Sequence, residues 1–183
     1  MKELLNKAIK PPAEWIIKKA DTEYAYWVED KVLYITFQGS LSLTDWIYNF
    51  LAWSVTGTHY GIYMKYKYIK KDILDICNNT LCYEVIVTGH SQGAAVALLA
   101  YYDIKKPVKA YLFGCPKIFS LWKALYLKNK SKKVFSYRLR NDIVTYLSPI
   151  NFTVGNQVFL GEKESIWKWK IKNHYPGAYR KYL

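Results

Sequence analysis

The sequence predicts an α/β fold, a compact mixed and mostly parallel sheet with helices on both faces, and three observations predict it. Short runs at 84–88, 109–113 and 134–139, rich in β-branched, aromatic and other apolar residues, have the character of central strands. Helical patterns lie beside them: Ile62, Tyr66, Ile69, Ile73 and Ile76 recur at spacings of three and four, and 92–103 is rich in Ala and Leu. Strand, helix and strand in that order call for parallel pairing, because the crossover helix returns the chain to the edge it left.

The other elements follow in order. β-Branched and aromatic runs at 24–28 and 32–37, separated by Glu29, Asp30 and Lys31, read as an antiparallel hairpin. The second run ends at Gln38-Gly39-Ser40, and Thr44 or Asp45 can cap a helix reaching about Trp53. Gly57 and Gly61 break the pattern before the long helix. After the strand at 109–113 come a helical stretch at 121–127, the strand at 134–139, the turn signal Gly155-Asn156 and a strand at 157–160. Trp167 and Trp169 alternate with Lys168 and Lys170, the pattern of a half-buried strand. Repeats and low-complexity tracts are absent from the sequence.

The 183 residues are 51% hydrophobic and 22% charged, which suits one domain spanning 1–183 and excludes a disordered or collagen-like chain. Cys77, Cys82 and Cys115 are odd in number and lack metal-ligand spacing, so free thiols are expected, and no motif calls for a metal or cofactor. The net charge of +13 is lopsided. Residues 1–103 hold 10 basic and 11 acidic side chains, while 104–183 hold 17 basic against three acidic. With only three arginines (Arg138, Arg140, Arg180), no nucleic-acid partner is expected, since phosphate and base edges favour the guanidinium fork. A Lys-rich face beside Trp and Tyr suits an anionic membrane surface, and the simpler reading is a solubilising face.

Lys2, Glu3, Lys7 and Lys10 leave no apolar core for a signal peptide in the first ten residues, so a cytoplasmic location with room for peripheral membrane contact is expected. The uncharged stretches 46–64 and 85–102 are interrupted, the first by Asn49 and the polar and glycine residues from Ser54 to Gly61 and the second by Gly89-His90-Ser91-Gln92-Gly93, so both read as parts of the fold and not as membrane spans.

Gly89-His90-Ser91-Gln92-Gly93 lies between an apolar strand and a helix, the setting of a nucleophile elbow. The serine occupies a strained turn there, and small neighbours let the flanking backbone approach. Ser91 needs a base that a third group orients. Of three histidines, His90 adjoins the nucleophile with its ring expected to point away, His59 precedes it, and His174 lies late in a loop before Tyr175-Pro176-Gly177, so His174 is the candidate base. For the acid, Asp103 ends the helix that starts at the serine, roughly 18 Å away. Asp142 directly follows a strand, and the order Ser91, Asp142, His174 is that of α/β-hydrolases. The structural alternative for Asp142 is a turn residue or surface ion pair with a neighbouring arginine. The backbone N–H groups of Gln92, at the helix start, and of Ser40, after the earlier strand, are the candidate oxyanion hole.

These residues resemble the class 3, or fungal-type, lipase family of α/β-hydrolases. Phe37-Gln38-Gly39-Ser40 with Asp45-Trp46 and Asn49 resembles its oxyanion strand end and following helix, and His59-Tyr60-Gly61 its His-x-Gly, whose histidine is structural. Thr88-Gly89-His90-Ser91-Gln92-Gly93-Ala94 resembles the family elbow with Gln92 in place of Leu, Phe113-Gly114-Cys115-Pro116-Lys117 its Phe-Gly-x-Pro-Arg, and Asp142-Ile143-Val144 its Asp-x-Val. The likeness runs from about Tyr24 to Tyr179, and Gln38 and Lys117 replace family arginines. It implies a single α/β-hydrolase domain and a serine ester hydrolase acting on a lipid or other acyl ester. The alternatives are a catalytically silent scaffold used for binding and a basic lipid-surface binder. Trp46, Ile47, Phe50, Leu51, Trp53 and Val55 follow the oxyanion loop, either as a buried helix face or as contacts for an acyl chain.

Overall fold

The computed structural model describes residues 1–18, 22–39, 54–55, 57–146, 150–162 and 170–183. It begins with a helix, α1 (Lys2–Ile9), and an edge strand, β1 (Ile16–Lys18). β2 (Thr22–Glu29) and β3 (Val32–Phe37) form the expected hairpin. Its turn is tighter than the sequence suggested: Asp30 and Lys31 alone make it, at φ 52° and 61°, the left-handed pair that matches the twist of two antiparallel strands. A small hairpin, β4 (Ser54–Val55) and β5 (Thr58–His59), precedes the long helix α2 (Tyr60–Asn79). Then come β6 (Glu84–His90), α3 (Gln92–Asp103), β7 (Val108–Phe113), α4 (Leu121–Leu127), β8 (Val134–Leu139), β9 (Asn156–Leu160) and α5 (Pro176–Arg180).

Seven strands join in the order β1-β2-β3-β6-β7-β8-β9. Pairing is antiparallel through β1, β2 and β3 and parallel from β3 to β9, as the alternation of strands and helices requires. Two apolar clusters occupy the two faces. Leu33, Ile35 and Phe37 of β3, Val85 and Val87 of β6, and Ala110 and Leu112 of β7 belong to the cluster with α2 and α3. Phe113 and Leu139 turn the other way, onto Leu5 of α1 and Tyr179 of α5.

Helix α3 is buried along almost its whole length, because the run Gly93-Ala94-Ala95 and the following Ala and Leu side chains are small or apolar on every side. Helix α2 buries a stripe of Ile62, Tyr66, Ile69, Ile73 and Cys77, so the stripe ends on Cys77, and Ile76 is only half-buried. The sequence did not announce α1, β1 or α5, which have only eight, three and five residues, and tertiary contacts hold them. The expected helix to Trp53 with its apolar side chains, and the strand through Trp167 and Trp169, lie outside the described residues. Among the described residues no helix is long and apolar enough to cross a membrane.

The register aligns the ends of the central strands. Phe37 lies opposite Gly89, and His90 opposite Phe113, so Gln38-Gly39, Ser91 and Gly114 all leave the sheet at one edge. Burial also decides thiol chemistry: it pushes Cys77 up to about 11 and Cys115 up to about 12, while Cys82 is only half-buried. Native protein at pH 8 is therefore expected to react with a disulfide reagent at Cys82 alone, and denatured protein at all three cysteines. Rapid native labelling of Cys115 in a mass-mapped digest would contradict this packing.

Candidate active site

Ser91 stands between β6 and α3 at φ 57°, ψ −124°, a left-handed conformation that costs a non-glycine residue about 1–3 kcal/mol. The surroundings that hold it there are glycines. A Cβ on Gly93 would lie 2.0 Å from the Phe37 carbonyl oxygen, and one on Gly89 would lie 2.5 Å from the Gly93 carbonyl carbon. Without side chains at both positions the first turn of α3 seats directly on the ends of β3 and β6. The Ser91 N–H donates to the Phe113 carbonyl at 2.9 Å, which pins the turn to β7 as well.

Asp142 and His174 meet the serine from two other segments. The 3-10 turn Ile171–His174 brings in the imidazole, and the Asn173 side-chain amide ties that turn to the Asn141 carbonyl at 3.1 Å. His174 Nε2 lies 2.7 Å from Ser91 Oγ, and its Nδ1 lies 2.7 Å from Asp142 Oδ2. With the proton on Nδ1, the ring donates to the carboxylate and accepts from the serine hydroxyl. Asp142 is fully buried, not the surface turn residue that was its structural alternative. Its Oδ1 accepts the Val144 N–H at 3.0 Å, and its Oδ2 also accepts the Tyr179 hydroxyl at 2.6 Å. A buried carboxylate supplied with donors in this way is satisfied as an anion.

The arrangement differs from expectation at His90. Its ring does not turn away from the site but closes it from behind: Nε2 donates to the His174 carbonyl at 2.8 Å, and the two rings lie 4.9 Å apart. Burial first, and then the neighbouring His174, push His90 down to about 3. Tyr179 and His90 are site residues that sequence reasoning missed. One of 18 tyrosines carries no local signal, whereas His90 sat in the motif itself. His59 is buried and caps α2, its Nδ1 accepting the Ile62 N–H at 3.4 Å.

A cavity of about 230 Å³ opens beside Ser91 and His174, walled by Gln38, Pro176 and, from the N-terminal segment, Ile9 and Trp15. Gln92 begins α3, so its N–H has no intrahelical acceptor. Ser40 lies outside the described residues. The preceding Gly39 abuts the nucleophile, where a Cβ would sit 2.9 Å from the His90 carbonyl oxygen and 3.6 Å from Ser91 Cβ.

A family model described as Lipase (class 3) matches residues 34–152, more than half of the chain. The chain belongs to the class 3 lipase family. It is 30% identical over 157 residues to a lipase of Rhizomucor miehei, covering 75% of this chain and 42% of that protein. It is 26% identical over 138 residues to a "Secreted mono- and diacylglycerol lipase 1" of Fusarium solani, covering 67% and 41%. A crystal structure of the lipase from Rhizopus microsporus var. chinensis superposes with a TM-score of 0.70 at 26% identity, covering 83% of this chain and 61% of that one. The α/β-hydrolase fold is thereby shown, and the chain spans less than half the length of these two curated relatives.

The cytoplasmic location expected from the first ten residues is corrected by these relatives, one of which is by name a secreted enzyme. The physical reason lies in the fold. Lys2–Ile9 is a helix packed through Leu5 and Ala8, so its charges report an amphipathic element of the domain and nothing about targeting.

Because His90 falls to about 3 in the folded protein from 6.5, the unfolded chain binds the extra proton between those values. Stability carried by neutral His90 is complete above pH 6.5 and declines as pH falls towards 3. His90→Asn keeps an N–H donor for the His174 carbonyl but cannot titrate. Urea melts from pH 7 to 4 are expected to show a shallower loss of stability in the variant than in the parent, and equal slopes would contradict the assignment.

Proposed function

We propose that this chain is a serine ester hydrolase acting on acyl esters of the lipid type. The observation that carries the reading is the unbroken hydrogen-bonded series Ser91–His174–Asp142, buried beneath a cavity that reaches the serine. His174 Nε2 takes the hydroxyl proton as Ser91 Oγ attacks the ester carbonyl carbon. The charge that develops on the carbonyl oxygen is held by the N–H of Gln92 and, in this proposal, by that of Ser40. Asp142 holds the tautomer and stabilises the imidazolium without taking the proton.

Collapse of the tetrahedral intermediate breaks the C–O bond, and His174 passes its proton to the departing alkoxide, which leaves as the alcohol. Water then gives a proton to His174 as it attacks the acyl carbon, and collapse of this second intermediate breaks the acyl–Oγ bond while His174 returns the proton to Oγ, releasing the acid and restoring Ser91. Tyr179 and the Val144 N–H keep Asp142 aimed at Nδ1 throughout.

The reading is tested with a fluorophosphonate probe and mass spectrometry of the labelled peptide. Label on Ser91, and its loss in Ser91→Ala, is the expected outcome. Ser91→Ala and His174→Ala are each expected to lower turnover of soluble and emulsified acyl esters by about 10⁴-fold or more. Wild-type-like turnover in either variant sinks the assignment. No label on Ser91, with or without detergent, moves the silent-scaffold alternative ahead.

A further inference from the structure

Between Asp103 and Asp142 the chain has no acidic residue, yet it holds nine lysines and two arginines. Part of this charge is used within the fold: Lys109 pairs with Glu84 at 2.9 Å, and Arg138 is buried with its guanidinium on the Thr145 carbonyl. Lys128, Lys130, Lys132 and Lys133 are exposed and form no ion pair among the described residues.

These lysines follow directly on α4, whose outer face is apolar. Ser120 caps the helix through the Lys123 N–H, and Ala124 and Leu127 anchor it to the core. That anchoring turns Leu121, Trp122, Leu125 and Tyr126 outwards, with Trp122 80% exposed, Tyr126 62% and Leu125 53%. Their spacing of one and four places them on a single stripe. Lys130 Nζ lies 4.2 Å from the Tyr126 ring centre and 2.7 Å from its hydroxyl, so cation and ring already share one patch. The helix begins seven residues after Gly114, which leaves β7 beside the Ser91 turn.

We propose that α4 and the lysines after it form a docking surface for an anionic lipid bilayer. Leu121, Trp122 and Leu125 enter the boundary between head groups and acyl chains, where an amphipathic helix buries its apolar side. Lys128, Lys130, Lys132 and Lys133 meet the anionic head groups, and each adds about fivefold to partitioning at low salt. The chemistry favours a bilayer over a nucleic acid, since a bare Leu and Trp stripe gains nothing from a phosphate backbone and no arginine lies on α4. The inference does not rest on the ester chemistry.

Co-sedimentation tests it, using the full chain with Ser91→Ala so that the lipid stays intact. Vesicles are phosphatidylcholine alone or phosphatidylcholine with about one-third phosphatidylserine. The expected result is at least about tenfold stronger partitioning onto the anionic vesicles, lost in concentrated salt. Trp122→Ser with Leu125→Ser is expected to weaken binding to the anionic vesicles about tenfold. Lys128→Gln, Lys130→Gln, Lys132→Gln and Lys133→Gln together are expected to erase the difference between the vesicles.

Equal partitioning of the parent on both vesicles, or variants that bind as it does, overturns the proposal. So does an oligonucleotide that binds as tightly as the anionic vesicles and ignores Trp122→Ser, or a dimer that hides Trp122 from the lipid. Thermal melts establish that each variant is folded. Turnover of a soluble butyrate ester by the same α4 variants, with Ser91 restored, separates the two readings: its absence in every protein removes the hydrolase and leaves the docking result standing.

Discussion

The close seating of the first turn of α3 on the ends of β3 and β6 is the constraint on which the rest depends. Two glycines permit it, Gly93 against the Phe37 carbonyl and Gly89 against Gly93, and no larger residue could stand at either position without moving backbone. Once that contact is made, Ser91 has nowhere to go but the left-handed region, and its hydroxyl leaves the sheet towards His174. The strain is offset by what surrounds the turn, namely a helix buried on nearly every side and parallel strands fully paired on both flanks of β6. A strained nucleophile persists only where the scaffold over-determines it, and here the scaffold is the middle of the sheet.

A second consequence concerns polarity. Ser91, Asp142 and His174 bring a hydroxyl, a carboxylate and an imidazole into an interior that would penalise each of them alone. Their mutual hydrogen bonds, with Val144 N–H and Tyr179 hydroxyl on the carboxylate and His90 on the His174 backbone, remove that penalty. The network therefore links α5, the loop after β8 and the strand end of β6, which are far apart in sequence. A single set of contacts serves both folding and the geometry that acyl transfer requires.

Much of this was legible in the sequence, and what escaped did so for physical reasons. Central strands rich in β-branched and aromatic residues and a helix made of Ala and Leu leave patterns that survive in one dimension, so β6, α3, β7 and β8 were readable in order. The elbow was readable because its glycines answer a steric demand, and Asp142 and His174 followed from chain order with the resemblance behind them. Tyr179 was not, since its hydroxyl matters only once α5 folds back 37 residues to reach Asp142. His90 was misjudged because the direction of a side chain beside a left-handed residue depends on backbone angles that sequence does not display. The N-terminal wall of the cavity, with Ile9 and Trp15, was hidden for a similar reason: α1 has too few residues to announce itself and exists through its packing.

The acid-free stretch from 104 to 141 shows how one segment can carry two independent messages. Its inward positions, Ala110, Leu112, Phe113, Ala124, Leu127 and Val134, obey the packing of the two cores and would do so whatever lay outside. Its outward positions obey no such demand. A solubilising surface would be expected to mix signs and to keep Trp and Leu off an exposed helix face, because both choices lower the tendency to associate. Here the outward positions do the opposite, setting unopposed lysines at 128–133 directly after the short helix that exposes Trp122 and Leu125. Charge and hydrophobicity that the core does not require, placed together, identify a surface shaped by what it meets.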